Sequence, residues 1–152
     1  MMRKLLSSVF VMAVVIGGSA ILAAQSNAPT APARYERSME TTVGGTITEL
    51  ISVFGADGAV GVHAIVKTSA GLVHVQIGPA TYIGESNFFF LKDDLVAIVG
   101  AKVSRNGATD VWARSITKDG RTLVLRDEDG TPKWTPTGDD PDGCGVSHDI
   151  SR

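Results

Sequence analysis

Turn signals recur so regularly through the middle of this chain that the segments between them have room for little except short strands. Asp57-Gly58, Ala70-Gly71, Asn106-Gly107, Asp119-Gly120 and Asp129-Gly130 punctuate residues 44–134. Asn-Gly and Asp-Gly suit tight hairpins, because both central residues of a type I′ turn need positive φ. Between these signals lie Gly44–Phe54, Gly61–Thr68, Leu72–Ile77, Leu95–Ser104, Thr109–Lys118 and Thr122–Arg126. These runs are rich in Val, Ile and Thr and lack helical spacing, so each is predicted to be a strand.

One interval breaks the rhythm. Between Ile77 and Leu95 stands GPATYIGESNFFFLKDD, where Pro79 cannot continue a central ladder. A short helix over Ala80–Ser86 is expected, weakened by Gly84. Tyr82, Ile83, Phe88, Phe89 and Phe90 supply enough apolar mass to plug the end of a barrel. The predicted order is therefore three strands, a helical link, two strands and a hairpin arm. That is the order of an OB-fold, a small barrel with a helix between its third and fourth strands. The fold class expected is mainly β, a single OB-fold-like barrel of five to six strands, with an open β-meander or another small barrel as competitor. Gly100 is expected at a bulge where the barrel turns a corner.

The hairpin around Ala70-Gly71 points to a candidate binding face. A two-residue loop there pairs Ser69 with Leu72, Val66 with Val75 and Ala64 with Ile77. One face then carries Val62, Ala64, Val66, Val73, Val75 and Ile77, and the other His63, Ile65, Lys67, His74 and Gln76. In an OB-fold the polar face of strands two and three is the usual ligand surface. Trp112 alternates with Val111 and Ala113, and Arg114 and Ile116 are expected on its side of the strand. A Trp beside an Arg suits stacking against a base or sugar, or else covers a barrel end. The candidate ligand-binding residues are thus His63, Lys67, His74, Gln76, Trp112 and Arg114. Arg105 and Lys118 add basic character on later strands.

Several chemistries fail on inspection. In the register above, His74 faces Lys67, four residues from His63, so the imidazoles stand more than about 13 Å apart. They cannot then share a zinc ion, and they are expected as exposed polar residues. No G-x-S-x-G elbow or phosphate-cradling loop occurs. Asp93-Asp94 reads as a turn and Asp127-Glu128-Asp129 as a solvated hairpin tip beside Arg126. No enzymatic activity, metal or cofactor is expected. Trp134 is expected to close the domain as a terminal lid.

The flanks speak of export. Arg3 and Lys4 precede an uncharged run, Leu5–Ala24, followed by small residues. Residues 1–24 therefore read as a secretory signal, with an uncleaved membrane anchor as the alternative. Gly17-Gly18-Ser19 favours cleavage by weakening the helix. Residues 25–42 read as a linker, residues 43–134 as the domain, and residues 135–152 as a disordered acidic tail. Without Arg3 and Lys4, 12 of the 14 basic side chains face 16 acidic ones, a net charge of −4. That balance argues against a nucleic-acid partner and against docking on an anionic membrane. The single Cys144 excludes an intrachain disulfide. Cys144 with His148 offers only two soft-metal ligands, so metal handling by the tail is the weakest alternative.

GGTITEL, VHVQIGPATYI and RTLVLRDEDGTPKW together resemble a group of small, uncharacterised exported bacterial OB-fold-like proteins. Gly78-Pro79 and the series Leu125-Arg126-Asp127, Gly130, Pro132 and Trp134 carry most of the resemblance. More distantly, the chain is similar to periplasmic bacterial OB-fold stress proteins. The resemblance implies a periplasmic or secreted OB-fold-like domain and supplies no catalytic residues. The function expected is a non-enzymatic binding module for a small molecule or an envelope protein. The alternative is an accessory subunit of a cell-envelope assembly.

Overall fold

The computed structural model describes residues 33–55, 58–105 and 107–136. The expected signal segment, the acidic part of the tail and Cys144 lie outside the described residues. Among the described residues no helix is long and apolar enough to cross a membrane.

Every predicted strand is present. The order is a 3₁₀ turn (Arg37–Met39), β1 (Glu40–Phe54), β2 (Val60–Thr68), β3 (Gly71–Pro79), α1 (Ala80–Glu85), β4 (Leu95–Arg105), β5 (Ala108–Lys118) and β6 (Arg121–Val124). They form one sheet in the order β3-β2-β1-β4-β5-β6, and a further β3–β5 pairing closes β1 to β5 into a barrel. The closing pair is parallel, Val75 with Val111 and Gln76 with Trp112, whereas its neighbours are antiparallel. β1 serves both halves: Glu40–Thr46 pairs with β4, and Thr46–Phe54 pairs with β2 past an irregularity between Ile47 and Glu49. With α1 between β3 and β4, this is the OB-fold connectivity.

Alternation builds the core. Ala64 and Val66, Val75 and Ile77, Val96 and Ile98, and Val111 and Ala113 all turn into the barrel and are buried. Each Val or Ile so placed contributes about 1.5–3 kcal/mol relative to an exposed position. Below the barrel, α1 brings Ile83 into the core, and Phe88 and Phe90 follow with ring centroids 5.3 Å apart. Phe89 lies between them in the period-two run and faces solvent, so it is not part of the plug. Tyr82 anchors the plug by donating its hydroxyl to the Val124 carbonyl at 2.9 Å.

Three local features correct the sequence reading. The β2–β3 turn is centred on Ser69-Ala70, with Thr68 paired to Gly71. The Thr68 hydroxyl accepts the Ala70 N–H at 3.1 Å and donates to the Gly71 carbonyl at 2.9 Å, which holds the turn one residue earlier than expected. Pairing is therefore displaced by two residues relative to the expected register. Second, the β4–β5 register slips between Val99 and Gly100 and leaves Arg114 as the extra residue of a bulge. The bulged Arg114 carbonyl accepts the N–H groups of Leu125 and Arg126, at 2.7 and 3.1 Å. Past the bulge the alternation inverts, so Ile116 enters the core instead of sharing a face with Trp112. Gly100 is where the bulge was expected: a Cβ there would collide with the Trp112 carbonyl.

The third correction concerns residues 35–42, which composition assigned to the linker. They are built into the fold. β1 already pairs from Glu40, and the Tyr35 hydroxyl donates to Glu40 at 2.6 Å. The Leu125–Trp134 arm packs nearby, because Gly130 (φ +89°) lies so close to the Tyr35 ring that a side chain would not fit. Trp134 does pack as expected, against the core and 5.6 Å from the Tyr82 ring.

Candidate functional site

The two-residue displacement of the β2–β3 hairpin brings together what the expected register kept apart. His74 faces Ile65, not Lys67, and is a diagonal neighbour of His63. Diagonal positions on one face of an antiparallel pair lie about 7–8 Å apart, within reach of long side chains. His63 Nδ1 and His74 Nε2 are 3.1 Å apart, with ring centroids at 5.0 Å. The expectation of two separated, exposed histidines is overturned, and with it the geometric argument against a shared site. His63 is 1% exposed.

Barrel closure supplies the third member. Asp110, two residues before Trp112 on β5, accepts a hydrogen bond from His74 Nδ1 at 2.8 Å. Burial favours the neutral acid at Asp110. The His74 hydrogen bond and the positive charges around it outweigh that effect and hold the carboxyl below its ordinary range. An ionised Asp110 only accepts, so His74 carries its proton on Nδ1. In the neutral pair, His74 Nε2 is then an acceptor and His63 Nδ1 the donor. The result is a hydrogen-bonded series Asp110–His74–His63 running from a half-exposed edge into the wall of the barrel.

Gln76 and Trp112 complete the cluster. Gln76 pairs with His63 across β2–β3 and with Trp112 across β3–β5, so the three share one face. Gln76 is 3% and Trp112 1% exposed, yet Gln76 Oε1 and Trp112 Nε1 have no hydrogen-bond partner. An unsatisfied buried polar atom costs about 1–3 kcal/mol, and these two belong to residues paired across β3–β5.

Trp112 is not an open stacking platform. Arg105 lies over its ring at 5.4 Å and Arg126 at 5.5 Å. Arg126, 2% exposed, also stands 5.5 Å from the Tyr35 ring and 5.3 Å from the Trp134 ring, while its Nη1 donates to the Gly130 carbonyl at 3.1 Å. That arm covers Trp112 from outside the barrel.

The six sequence candidates therefore divide. His63, His74, Gln76 and Trp112 come together. Lys67 remains exposed on the same strand face but pairs with Leu72 at the hairpin end. Arg114 is engaged elsewhere, its Nε 2.7 Å from Glu40 Oε1. Lys118 is tied to Asp94 at 2.6 Å. Asp110 was missed. Its signal was its alternation with Trp112, readable only with the β3–β5 pairing in hand. Among the described residues no group of three His, Cys, Asp or Glu side chains converges as a metal cage.

Comparison with known proteins follows from this geometry. No curated protein matches the chain. Among solved structures, the dimeric N-terminal domain of PriB protein from Thermoanaerobacter tencongensis is similar at 18% identity and a TM-score of 0.44, over 53% of this chain and 96% of that one. Residues 39–123, from the start of β1 to β6, match the MamS/MamX magnetosome protein family. The strand topology alone carries the OB-fold-like resemblance at the level of fold, and by the match over residues 39–123 the chain belongs to the MamS/MamX magnetosome protein family.

Proposed function

We propose that this protein is an exported, non-enzymatic, magnetosome-associated binding module whose binding site is the outer face of β2, β3 and β5. The observation that carries this reading is the Asp110–His74–His63 series with the unsatisfied Gln76 and Trp112 atoms beside it. A purely structural wall would be cheaper if apolar there, since buried polar groups are tolerated only when satisfied. The leading charges Arg3 and Lys4 and the run after them support export.

The test is a thermal-shift screen on the purified chain with metals, nucleotides, sugars and oligonucleotides, repeated on His74→Gln. A ligand at a hundredfold excess over its Kd stabilises the fold by about 2.7 kcal/mol. A shift in the parent that disappears in His74→Gln supports the site. A ligand whose shift survives the substitution binds elsewhere and removes this face from the argument.

A second reading, an accessory subunit of a cell-envelope assembly, is favoured by a different surface. Leu72, Lys67, Thr46 and Leu95 are successive register partners across four strands. Leu72 and Leu95 are 69% and 73% exposed, and Phe89 and Leu91 are also exposed. Leu95→Glu is expected to leave the melting temperature unchanged while abolishing recovery of any partner that uses this surface. Unchanged recovery would set the reading aside.

A further inference from the structure

We propose that His63 Nδ1 and His74 Nε2 hold a single divalent transition-metal ion, with Gln76 Oε1 as a third donor and Asp110 orienting His74 from behind. The inference rests on the binding-face reading above and names the ligand class of that face.

Geometry carries it first. Two nitrogens each about 2.1 Å from a tetrahedral zinc ion stand about 3.4 Å from each other. The imidazole nitrogens here are 3.1 Å apart, a few tenths of an ångström short of that separation, and to take an ion both rings must also turn so that their lone pairs converge beside the line between them. At present a proton occupies the gap between them. For the ion to replace it, the His63 proton moves from Nδ1 to Nε2 by exchange with solvent, with no net proton lost. Both nitrogens then present lone pairs to the metal.

The surroundings point the same way. A metal-ligating histidine nearly always gives its other ring N–H to a carboxylate or carbonyl, which fixes its tautomer and raises its basicity. Asp110 accepts such a bond from His74 Nδ1 at 2.8 Å. Gln76, directly across from His63 and two residues from His74 on the same strand face, holds a buried amide oxygen without a partner. Imidazole nitrogen with amide oxygen suits zinc, copper(II) or nickel rather than calcium or magnesium, which prefer all-oxygen sites. Entry is from the His74 side, where the side chains of His74 and Asp110 keep 30% and 17% exposure. Water completes the coordination there.

The experiment uses the full chain carrying Cys144→Ser and His148→Ala, so that the tail cannot contribute soft ligands. Zinc is titrated by calorimetry, and copper(II) binding is followed by electron paramagnetic resonance. One equivalent should bind, with copper hyperfine structure from two imidazole nitrogens. His74→Gln should lower the affinity at least a hundredfold, Asp110→Asn about 10–100-fold, and Lys92→Ala, at an exposed position between α1 and β4, not at all. Melting curves confirm that each variant is folded. A silent titration, or undiminished affinity in folded His74→Gln, overturns the metal site. If zinc is silent while another ligand gives a thermal shift lost in His74→Gln, the metal inference fails and the binding face stands. If every ligand ignores His74→Gln, both fail.

Discussion

Arg126 carries a charge into an almost fully buried position, where three aromatic rings and the Gly130 carbonyl surround the guanidinium. Cation–π contacts strengthen as water is excluded, to about 2 kcal/mol for a desolvated pair. Arg126→Ala removes these contacts and leaves a void among Tyr35, Trp112 and Trp134. A loss of about 2–4 kcal/mol in chemical denaturation is expected; a loss under 1 kcal/mol would mean that the rings close without the guanidinium. Acid stability is also set residue by residue. The Arg114 hydrogen bond, against the cost of burial, holds the Glu40 carboxyl below its ordinary range, and Asp110 and Asp94 are depressed as well. A depressed folded-state pKa contributes stability that is complete above the unfolded value near 4 and is lost as pH falls through the folded value. The stability that these three carboxylates contribute should therefore be lost as pH falls below about 4. Glu40→Gln should flatten part of that decline; an unchanged acid limb would show that the Glu40–Arg114 pair does not govern it.

At the scale of elements, two glycines make opposite predictions. Gly100 sits in the β4–β5 bulge with no room for a Cβ beside the Trp112 carbonyl. Backbone must move to admit a methyl group, so Gly100→Ala is expected to cost about 2 kcal/mol or more. Gly84 lies inside α1 with open space around its Cα. There a methyl group only reduces the freedom of the unfolded chain, and Gly84→Ala should stabilise by about 0.5–1 kcal/mol. Measured together by urea melts, the two signs test whether the bulge or the helix is the constrained element. The elements themselves were largely legible. Six strands, the helix after Pro79 and the bulge at Gly100 follow from local pattern, because turn chemistry and alternation act over a few residues. Residues 35–42 were not legible, since their partners Arg114 and Gly130 lie far along the chain.

For the whole molecule, the barrel makes the binding face by joining β3 to β5. His74 and Asp110 are 36 residues apart in sequence and 2.8 Å apart in space. If this face serves binding, the full chain should lose its ligand-induced stabilisation on His74→Gln while its denaturant midpoint without ligand moves little, because His74 is half-buried at the rim. A large loss of midpoint without ligand would instead assign the series to holding the barrel closed.

Taken alone, the sequence determined which segments are strands and, up to the Arg114 bulge, which strand residues face the core and which polar residues share the opposite face; it misplaced Ile116 and Phe89. It did not determine which of those polar residues touch. The reason is the period of the strand: a displacement of two residues leaves every side chain on the same face, so hydrophobic alternation cannot tell one such register from the other. Only the Thr68 turn, the Arg114 bulge and the parallel closure of β3 on β5 decided it. Those three features turn two histidines expected more than about 13 Å apart into a bonded pair with Asp110 behind them.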